Sequence, residues 1–491
     1  MKRSSVIALF LFALAFISFQ YNGLFAVNDF KFRDFDLYSD QFVLDGILRA
    51  KTGEPGFILG MYVRANFAGQ GRLAHELFNE GNVAGEFWKY RSSFGLQGWL
   101  FGVLHTHFGL SIQQMYAVNA LALALVVSAL FVFLSKHFSL AASAGFALTL
   151  IISPWVVAFA RNLFWVEWTW FLPLLAAIAL GNRAALVSRD RYLLAAALFG
   201  AFFLKSLCGY DYVTTIFIAS LAPLLFFLTE NQKGFKDSLQ LLTLAGVAMI
   251  MGLVCALLLH AASFPGSFKE GFAQINKTAH KRLSSDNPAA IIDSVCRDSV
   301  DKAVCAQSHF ESLTSSRTKV VARYFAFRDF LPWLGNIEGE LDEQFKADLK
   351  SIYNSGEVSR VKTLFQKYPL SNLMAIFTLA LSTVVFLAFL LTLAWQTYRL
   401  KFEQFPLAVL VWTSFLAPLS WFILFKGHSY VHTYLNYVLW FIGFVPFGVL
   451  FLIQQRYAKS QTFAFNAREV RPLDFGDRVK PAGWRAKGQI K

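Results

Sequence analysis

The sequence predicts an all-α polytopic membrane protein with about ten transmembrane helices and two large outward-facing segments. Hydrophobic residues make up 56% of the 491 residues, whereas charged residues make up only 15%. Soluble domains carry about a quarter charged residues. The mean hydropathy is +0.47, and apolar runs long enough to cross a bilayer recur along the chain. This composition excludes a water-soluble enzyme, a disordered chain and a disulfide-dense secreted protein.

Each predicted spanning helix corresponds to a run of about 20 mostly apolar residues. The first run extends from about Val6 to Val27, and its length and lack of a small-residue cleavage site favour a retained anchor over a signal peptide. The further spans are predicted near 111–135, 138–160, 163–181, 192–209, 212–229, 238–262, 369–395, 405–426 and 434–454. The apolar stretch 94–110 contains His105 and His107, which favours an interfacial or re-entrant segment.

Lysine and arginine residues in the short connections predict the orientation of the chain. Cytoplasmic loops of membrane proteins are enriched in these residues. With the N-terminus inside, the inner connections hold Lys136, Arg183, Arg189, Arg191, Lys233, Lys236, Arg399 and Lys401. The segment 455–491 is also basic and falls on the same side, so both termini are predicted to be cytoplasmic. The net charge of +14 is therefore a topology signal and does not indicate a nucleic-acid partner.

This topology divides the chain into four predicted parts. They are an N-terminal transmembrane module (1–262) with a first outer loop (28–93), an outer segment (263–368), C-terminal transmembrane helices (369–454) and a basic cytoplasmic tail (455–491). Loops as long as the two outer segments are usually functional. The second of them holds Cys296 and Cys305, which form a disulfide if the outer compartment is oxidising and stay free thiols otherwise.

Ionisable residues collect at the outer ends of the predicted spans, where charged groups are informative because a membrane makes them costly. The group consists of Arg161, Glu167, Lys205, Asp211, His260, Lys426, His428 and His432. Its arginine, its two lysines and the pair His428 and His432 are candidate ligands of a phosphate, with Glu167 and Asp211 as supporting acids. Together they predict a polar cavity open to the outer face. The alternative is that each side chain only extends to the outer interface, which is the simpler explanation for Lys426 or His260 taken alone.

Asp34, Asp36 and Asp40 follow the first span near the start of the first outer loop. From Asp36 to Ala50 apolar residues recur at helical spacing, which predicts an amphipathic helix on the outer membrane surface. Asp36 and Asp40 are four residues apart and therefore share one face of this helix, and Asp34 lies just before it. Asp40 is a supporting residue of the predicted site. One carboxylate is a candidate general base, or two of them hold a divalent cation such as Mg²⁺ or Mn²⁺. The alternative is that Asp34 or Asp36 only caps the helix.

The acidic motif Asp34-Phe35-Asp36 follows a first span and opens a long outer loop with surface helices. This layout resembles the C-type (GT-C) superfamily of polytopic membrane glycosyltransferases. The resemblance implies transfer of a sugar from a polyprenyl phosphate or pyrophosphate donor to a glycan or lipid acceptor outside the membrane. It also implies that Asp36, or Asp34 beside it, is the catalytic base or a metal ligand. The size and plan are similar to those of bacterial single-sugar transferases of surface polysaccharide, which implies a location in the inner membrane.

Other classes of protein remain open from the sequence. An O-antigen polymerase or ligase would use Arg317, Arg323 and Arg328 of the second outer segment. A lipid-linked saccharide flippase would need a polar path through the membrane, and the inner halves of the spans carry almost no charge. A membrane O-acyltransferase would use a buried histidine, for which His260 is the candidate. A non-catalytic assembly subunit would need none of these residues.

Overall fold

The computed structural model describes residues 2–53, 56, 58–63, 70–83, 85–264, 266–282, 292, 314–326, 370–401 and 404–469. The helices in chain order are α1 (Lys2–Tyr21), α2 (Asp29–Ser39), α3 (Gln41–Lys51), α4 (Gln70–Glu80), α5 (Leu96–Phe108), α6 (Ile112–Leu134), α7 (Leu140–Ile151), α8 (Pro154–Ala160), α9 (Trp168–Leu186), α10 (Ser188–Cys208), α11 (Val213–Glu230), α12 (Phe235–Ala262), α13 (Phe268–Arg282), α14 (Arg317–Ala326), α15 (Leu370–Tyr398), α16 (Phe405–Leu424), α17 (Lys426–Val431), α18 (Thr433–Asn436) and α19 (Phe444–Glu469). A 3-10 turn, Tyr437–Phe441, precedes α19. Two strands, β1 (Gly60–Val63) and β2 (Glu86–Lys89), pair antiparallel with Gly60 opposite Lys89.

Nine helices within these residues are long and apolar enough to cross a membrane. They are α1, α6, α9, α10, α11, α12, the Leu381–Tyr398 part of α15, α16 and the stretch Tyr437–Tyr457, which includes the start of α19. A tenth candidate consists of α7 and α8 together. The chain is therefore an all-α polytopic membrane protein, and the predicted class is confirmed.

The span predicted at 138–160 is not one straight helix, because α7 and α8 meet at an angle of 65°. Pro154 has no N–H with which to continue the hydrogen bonds of α7, and Ser153 caps a new helix by accepting from the N–H of Val156 at 3.4 Å. The span predicted at 163–181 is displaced along the chain, because α9 begins only after a further turn. The 13-residue α5 is separate from the spanning helices.

The bundle has two ends, which the connections between the helices define. We define the head end by the connections 22–111, 161–167, 209–212 and 425–436. The tail end is defined by the turns 135–139, 187 and 231–234. Since each spanning helix runs from one end to the other, these two sets of connections lie on opposite sides of the bundle.

The first outer loop forms a small folded unit at the head end, in which α3 packs on α4, α5 and the two strands. Leu44, Ile47 and Leu48 of α3 are fully buried in this unit. The predicted amphipathic helix therefore has its apolar face against protein and not on the membrane surface. Its bounds also differ from the prediction, because the helical segment begins at Asp29 in α2 and is interrupted at Asp40.

The spanning helices pack through aromatic residues and through one close helix contact. The longest contacts are those of α11 along α16 and of α10 with α9 and α12. Gly252 of α12 faces the backbone of α10, where a Cβ atom would lie 2.7 Å from the carbonyl oxygen of Phe199. Small residues allow such close helix approach in membranes. Trp155, Trp421 and Trp440 are fully buried among the helices.

The helix α14 comes from the second outer segment and packs inside the bundle. The ring of Tyr324 stacks on that of Phe422 with centroids 3.5 Å apart, and Phe325 contacts Phe415 and Trp440. This position is not evident from the sequence, because the ten residues of α14 are too few to form a span.

Several predicted features fall outside the described residues. These are Cys296, Cys305, Arg328 and the basic segment 470–491. The preceding part of the predicted tail continues α19 as far as Glu469. The two described cysteines, Cys208 and Cys255, are free thiols.

Candidate functional site

Ten ionisable residues singled out from the sequence lie at the head end. They are Asp34 and Asp36 on α2, Asp40 between α2 and α3, Arg161 and Glu167 between α8 and α9, Lys205 and Asp211 around the α10–α11 turn, and Lys426, His428 and His432 in or next to α17. Most of them form two polar groups. One consists of Asp36 with Arg161 and the neighbouring Asp40, and the other consists of Asp211 with Lys205 and the histidines.

Asp36 and Arg161 form a buried ion pair between α2 and the end of α8. The Nη2 and Nε atoms of Arg161 lie 2.6 and 2.8 Å from Asp36 Oδ2. The same guanidinium donates from Nη1 to the carbonyl of Gln20 at 3.0 Å and lies 3.9 Å from the ring centroid of Phe32. The pair therefore joins α8 to α2 and to the end of α1. Its two side chains are 11% and 3% exposed, so solvent screens the interaction little.

Asp40 lies beside Asp36 but differs from it in pKa. Asp40 is fully buried, and its Oδ1 accepts from the N–H of Leu163 at 2.8 Å. Burial raises the pKa of Asp36 to about 6, an effect that Arg161 opposes. Burial and the charge of Asp36 raise the pKa of Asp40 well above its usual value. The two acids therefore differ in pKa, and Asp36 is the one that pairs with the guanidinium.

Asparagine side chains hold the turn between α8 and α9 in place. Asn162 Nδ2 donates to Ser39 Oγ at 2.9 Å, and Asn162 Oδ1 accepts from the N–H groups of Phe164 and Trp165. Asn119 of α6 donates to the carbonyl of Asn162 at 2.8 Å. The sequence prediction missed both asparagines. Asn119 could have been identified from the sequence, because it is a polar residue within an otherwise apolar span.

Glu167 is a fully buried carboxyl group immediately before α9. Neither of its oxygens forms a hydrogen bond within the described part of the chain. Burial raises its pKa well above the usual value. The preceding Val166 has a φ of 46°, and Tyr212 at the next head-end turn has a φ of 65°. Such angles are strained for non-glycine residues, and this strain concentrates at functional sites.

Lys205, Asp211 and His428 form the second polar group at the α10–α11 turn. Lys205 Nζ donates to the carbonyls of Gly209, at 2.5 Å, and of Asp211. Its ammonium group therefore stabilises the turn, a structural role that the sequence did not indicate. His428 Nε2 lies 3.6 Å from Asp211 Oδ1, and the rings of His428 and His432 are 4.6 Å apart between centroids.

Positive charge from α14 lies near Lys426. Burial lowers the pKa of Lys426, and the positive charge of Arg317 lowers it further. Arg323 in the same helix lies over the ring of Tyr430 at 4.2 Å from its centroid. Two of the three arginines considered for a polymerase or ligase are therefore at the head end.

A row of aromatic rings connects the two polar groups. Phe35 contacts Phe159 at 4.6 Å between centroids, and Phe159 contacts Trp165 at 5.1 Å. Trp165 is parallel to Tyr212 at 6.1 Å, and Tyr212 contacts His428 at the same distance. Trp165 is only partly buried, so it offers an aromatic face of the kind on which sugar rings stack.

Asp34 lies in an open cleft of about 410 Å³ on another side of α2. The cleft is lined by Asp29, Arg33, Asp34, Leu37 and Arg72. Burial raises the pKa of Asp34, while Lys31 and Arg72 oppose the rise. Because residues two positions apart on a helix point about 200° apart, Asp34 and Asp36 do not share a cation. Within the described residues no group of three or more His, Cys, Asp or Glu side chains is arranged to hold a metal ion.

His260, the candidate for an acyltransferase, lies apart from the acids at the end of α12. Its Nδ1 is 3.1 Å from the hydroxyl of Tyr210. Both residues line a small, mostly apolar cavity of about 150 Å³, together with Arg91 and Phe425.

No family model, curated protein or solved structure matches this chain. The class of protein is therefore defined by the fold and by the geometry of the head end. The chain is an integral membrane protein with acidic and basic side chains buried together at one end of its helical bundle.

Proposed function

We propose that the protein is a membrane glycosyltransferase of the GT-C type. It moves a sugar from a polyprenyl phosphate or pyrophosphate donor to a glycan or lipid acceptor at the outer face of a bacterial inner membrane. In this proposal the head end faces outward and both termini are cytoplasmic. The short connections support this orientation, because lysine and arginine residues lie in or next to those at the tail end: Lys136, Arg183, Arg189, Arg191, Lys233 and Lys236.

One observation carries the proposal: Asp36 and Asp40 are buried side by side, and Asp36 pairs with Arg161. Buried carboxyl pairs with separated pKa values are typical of acid–base sites. With a pKa of about 6, Asp36 is charged near neutral pH and still basic enough to accept a proton. Its Oδ1 forms no hydrogen bond with any described residue. Asp34 is the second candidate for the base, because it lies in the open cleft.

The proposed reaction needs a base and positive charge. The acceptor hydroxyl loses its proton to Asp36, and its oxygen forms a bond to the anomeric carbon of the donor sugar. The bond between that carbon and the phosphate oxygen breaks, and the polyprenyl phosphate leaves with the electron pair. Lys426 and Arg317 supply positive charge for the leaving phosphate. Lys205 acts indirectly by holding the turn that carries Asp211.

The test compares Asp36→Asn and Asp34→Asn in membranes supplied with a polyprenyl phosphate that carries a radiolabelled hexose. Loss of the base should lower the transfer rate by about 10²–10⁴-fold. Asp237→Asn is the matched control, since Asp237 pairs with Arg191 at the tail end. Asp36→Glu keeps a partner for Arg161 and is used if Asp36→Asn does not fold. Full transfer by folded variants at both positions would overturn the proposal.

A polymerase or ligase is the second candidate, and the position of α14 favours it. Arg317 acts on Lys426 at the head end, as this alternative requires. In that case Arg317→Gln abolishes transfer of a lipid-linked glycan, whereas Asp34→Asn and Asp36→Asn leave it unchanged.

A further inference from the structure

A cavity at the tail end lies on the opposite side of the bundle from the carboxyl groups. Its volume is about 630 Å³, which is typical of small-molecule sites. It lies where the α6–α7 and α11–α12 turns meet the first turn of α16 and the helix α19. Its polar wall includes His137, Glu230, Lys233, Gln404, Gln454 and Gln455.

Another part of the wall is apolar. Phe138 and Phe226 are buried and contact each other with ring centroids 5.2 Å apart, and Leu407 continues this surface at the start of α16. The cavity lies where the spanning helices end, so its apolar wall is near the depth of lipid chains and its polar wall near that of lipid head groups. This division fits an amphiphilic ligand.

Two opposite charges on the polar wall do not pair with each other. Glu230 and Lys233 are three residues apart at the α11–α12 turn. Neither side chain forms an ion pair or a hydrogen bond with another described residue. Both charges are thus available to a ligand with a positive and a negative group.

Gln455 provides an independent sign of a ligand. The residue is 5% exposed, and its Nε2 donates to none of the described residues. A buried donor of this kind requires an acceptor. The neighbouring Gln454 differs, because its Oε1 already accepts from the N–H of Ser139 at 3.0 Å. His137 is a neutral hydrogen-bonding group, since burial and the charge of Lys136 lower its pKa.

We propose that this cavity binds a glycerophospholipid whose head group carries a primary ammonium, such as phosphatidylethanolamine. The phosphate oxygens accept from Lys233 and Gln455, and the ammonium donates to Glu230. An acyl chain lies along Phe138 and Phe226. A choline head group has no N–H to donate, and a glycerol head group has no positive charge for Glu230. The site is independent of the reaction proposed for the head end.

The experiment measures lipid binding to the purified full-length protein in detergent by native mass spectrometry. The probes are dioleoyl phosphatidylethanolamine, the corresponding choline and glycerol lipids, and soluble phosphoethanolamine. We expect the ethanolamine lipid to bind most tightly. Lys233→Gln, Glu230→Gln and Gln455→Leu should each weaken its binding about tenfold. Lys236→Gln is the matched control, because Lys236 is exposed on the same turn and does not line the cavity.

Three results would overturn the proposal. The first is equal binding of all three lipids, or binding that no cavity variant changes. The second is a preference for the glycerol lipid that depends on Lys233 and not on Glu230, which would indicate a purely anionic ligand. The third is binding of phosphoethanolamine as tight as that of the lipid, which would indicate a soluble phosphate ester.

Discussion

The head end and the tail end use ion pairs in different surroundings. At the head end Arg161 and Asp36 are 11% and 3% exposed, and the pair joins separate helices. At the tail end Arg183 and Asp190 are 66% and 17% exposed, with Nε and Oδ2 3.1 Å apart. Buried charges lose most of their hydration, whereas an exposed arginine keeps much of it. The same kind of contact therefore has different energetic consequences at the two ends.

The burial of charged groups at the head end indicates that function, and not stability, accounts for the residues found there. Apolar side chains of similar volume would pack the head end at least as well as Asp36, Asp40 and Glu167 do. The burial of these three carboxyl groups is thus best explained by chemistry or binding. The charges of the short tail-end turns need no such explanation, since topology accounts for them.

Removing the head-end cation should have the largest effect. Arg161→Met leaves Asp36 buried without its partner, so we expect the free energy of unfolding to fall by about 3–5 kcal/mol. Denaturant titration of the purified protein in detergent micelles, followed by tryptophan fluorescence, measures this change. The double variant Arg161→Met with Asp36→Leu should recover most of the loss. A loss below about 1 kcal/mol in the single variant is typical of exposed ion pairs, and it would contradict the prediction for this buried pair.

A smaller effect depends on pH and concerns Glu167. Its pKa in the folded protein is raised above the usual 4.5. Wild-type stability therefore falls as the pH rises above that value, until the folded group also ionises, by at most about 1.4 kcal/mol per pH unit. Glu167→Gln should remove this contribution and flatten the profile. Thermal unfolding measured across about pH 4–8 tests it, and identical slopes in both proteins would contradict a raised pKa for Glu167.

The smallest effect is expected at the tail end. Arg183→Gln breaks an ion pair whose arginine is 66% exposed, so the free energy of unfolding should change by less than about 0.5 kcal/mol. The same denaturant titration measures it beside Arg161→Met. Equal losses in the two variants would remove the distinction between the ends.

The spanning helices were predictable because each is a local property of the sequence. The run predicted at 111–135 is the helix Ile112–Leu134. The bend before α8 was not predicted, because hydropathy reports composition and not direction. The signal was nevertheless present, since Ser153 followed by Pro154 is a typical helix start.

The candidate site was predictable only in its location. Charged residues near the ends of spans necessarily collect at one end of the bundle. The pairing of Asp36 with Arg161 joins residues 125 positions apart and depends on how α2 packs on α8. Lys205 stabilises the α10–α11 turn, and this role likewise depends on where the carbonyl groups of that turn point. Sequence spacing contains neither kind of information.

Asn119 shows how deep the acids lie. It is seven residues after the start of α6, which is about 10 Å along the helix, and its amide holds the turn next to Arg161. The 12 residues of α7 reach only about 18 Å, against about 30 Å for the hydrocarbon core. Asp36 and Asp40, which contact this turn, are therefore level with the spanning helix α6 and not beyond its end. A lipid-linked substrate of the proposed reaction would reach these acids from the side, with its chain still in the membrane.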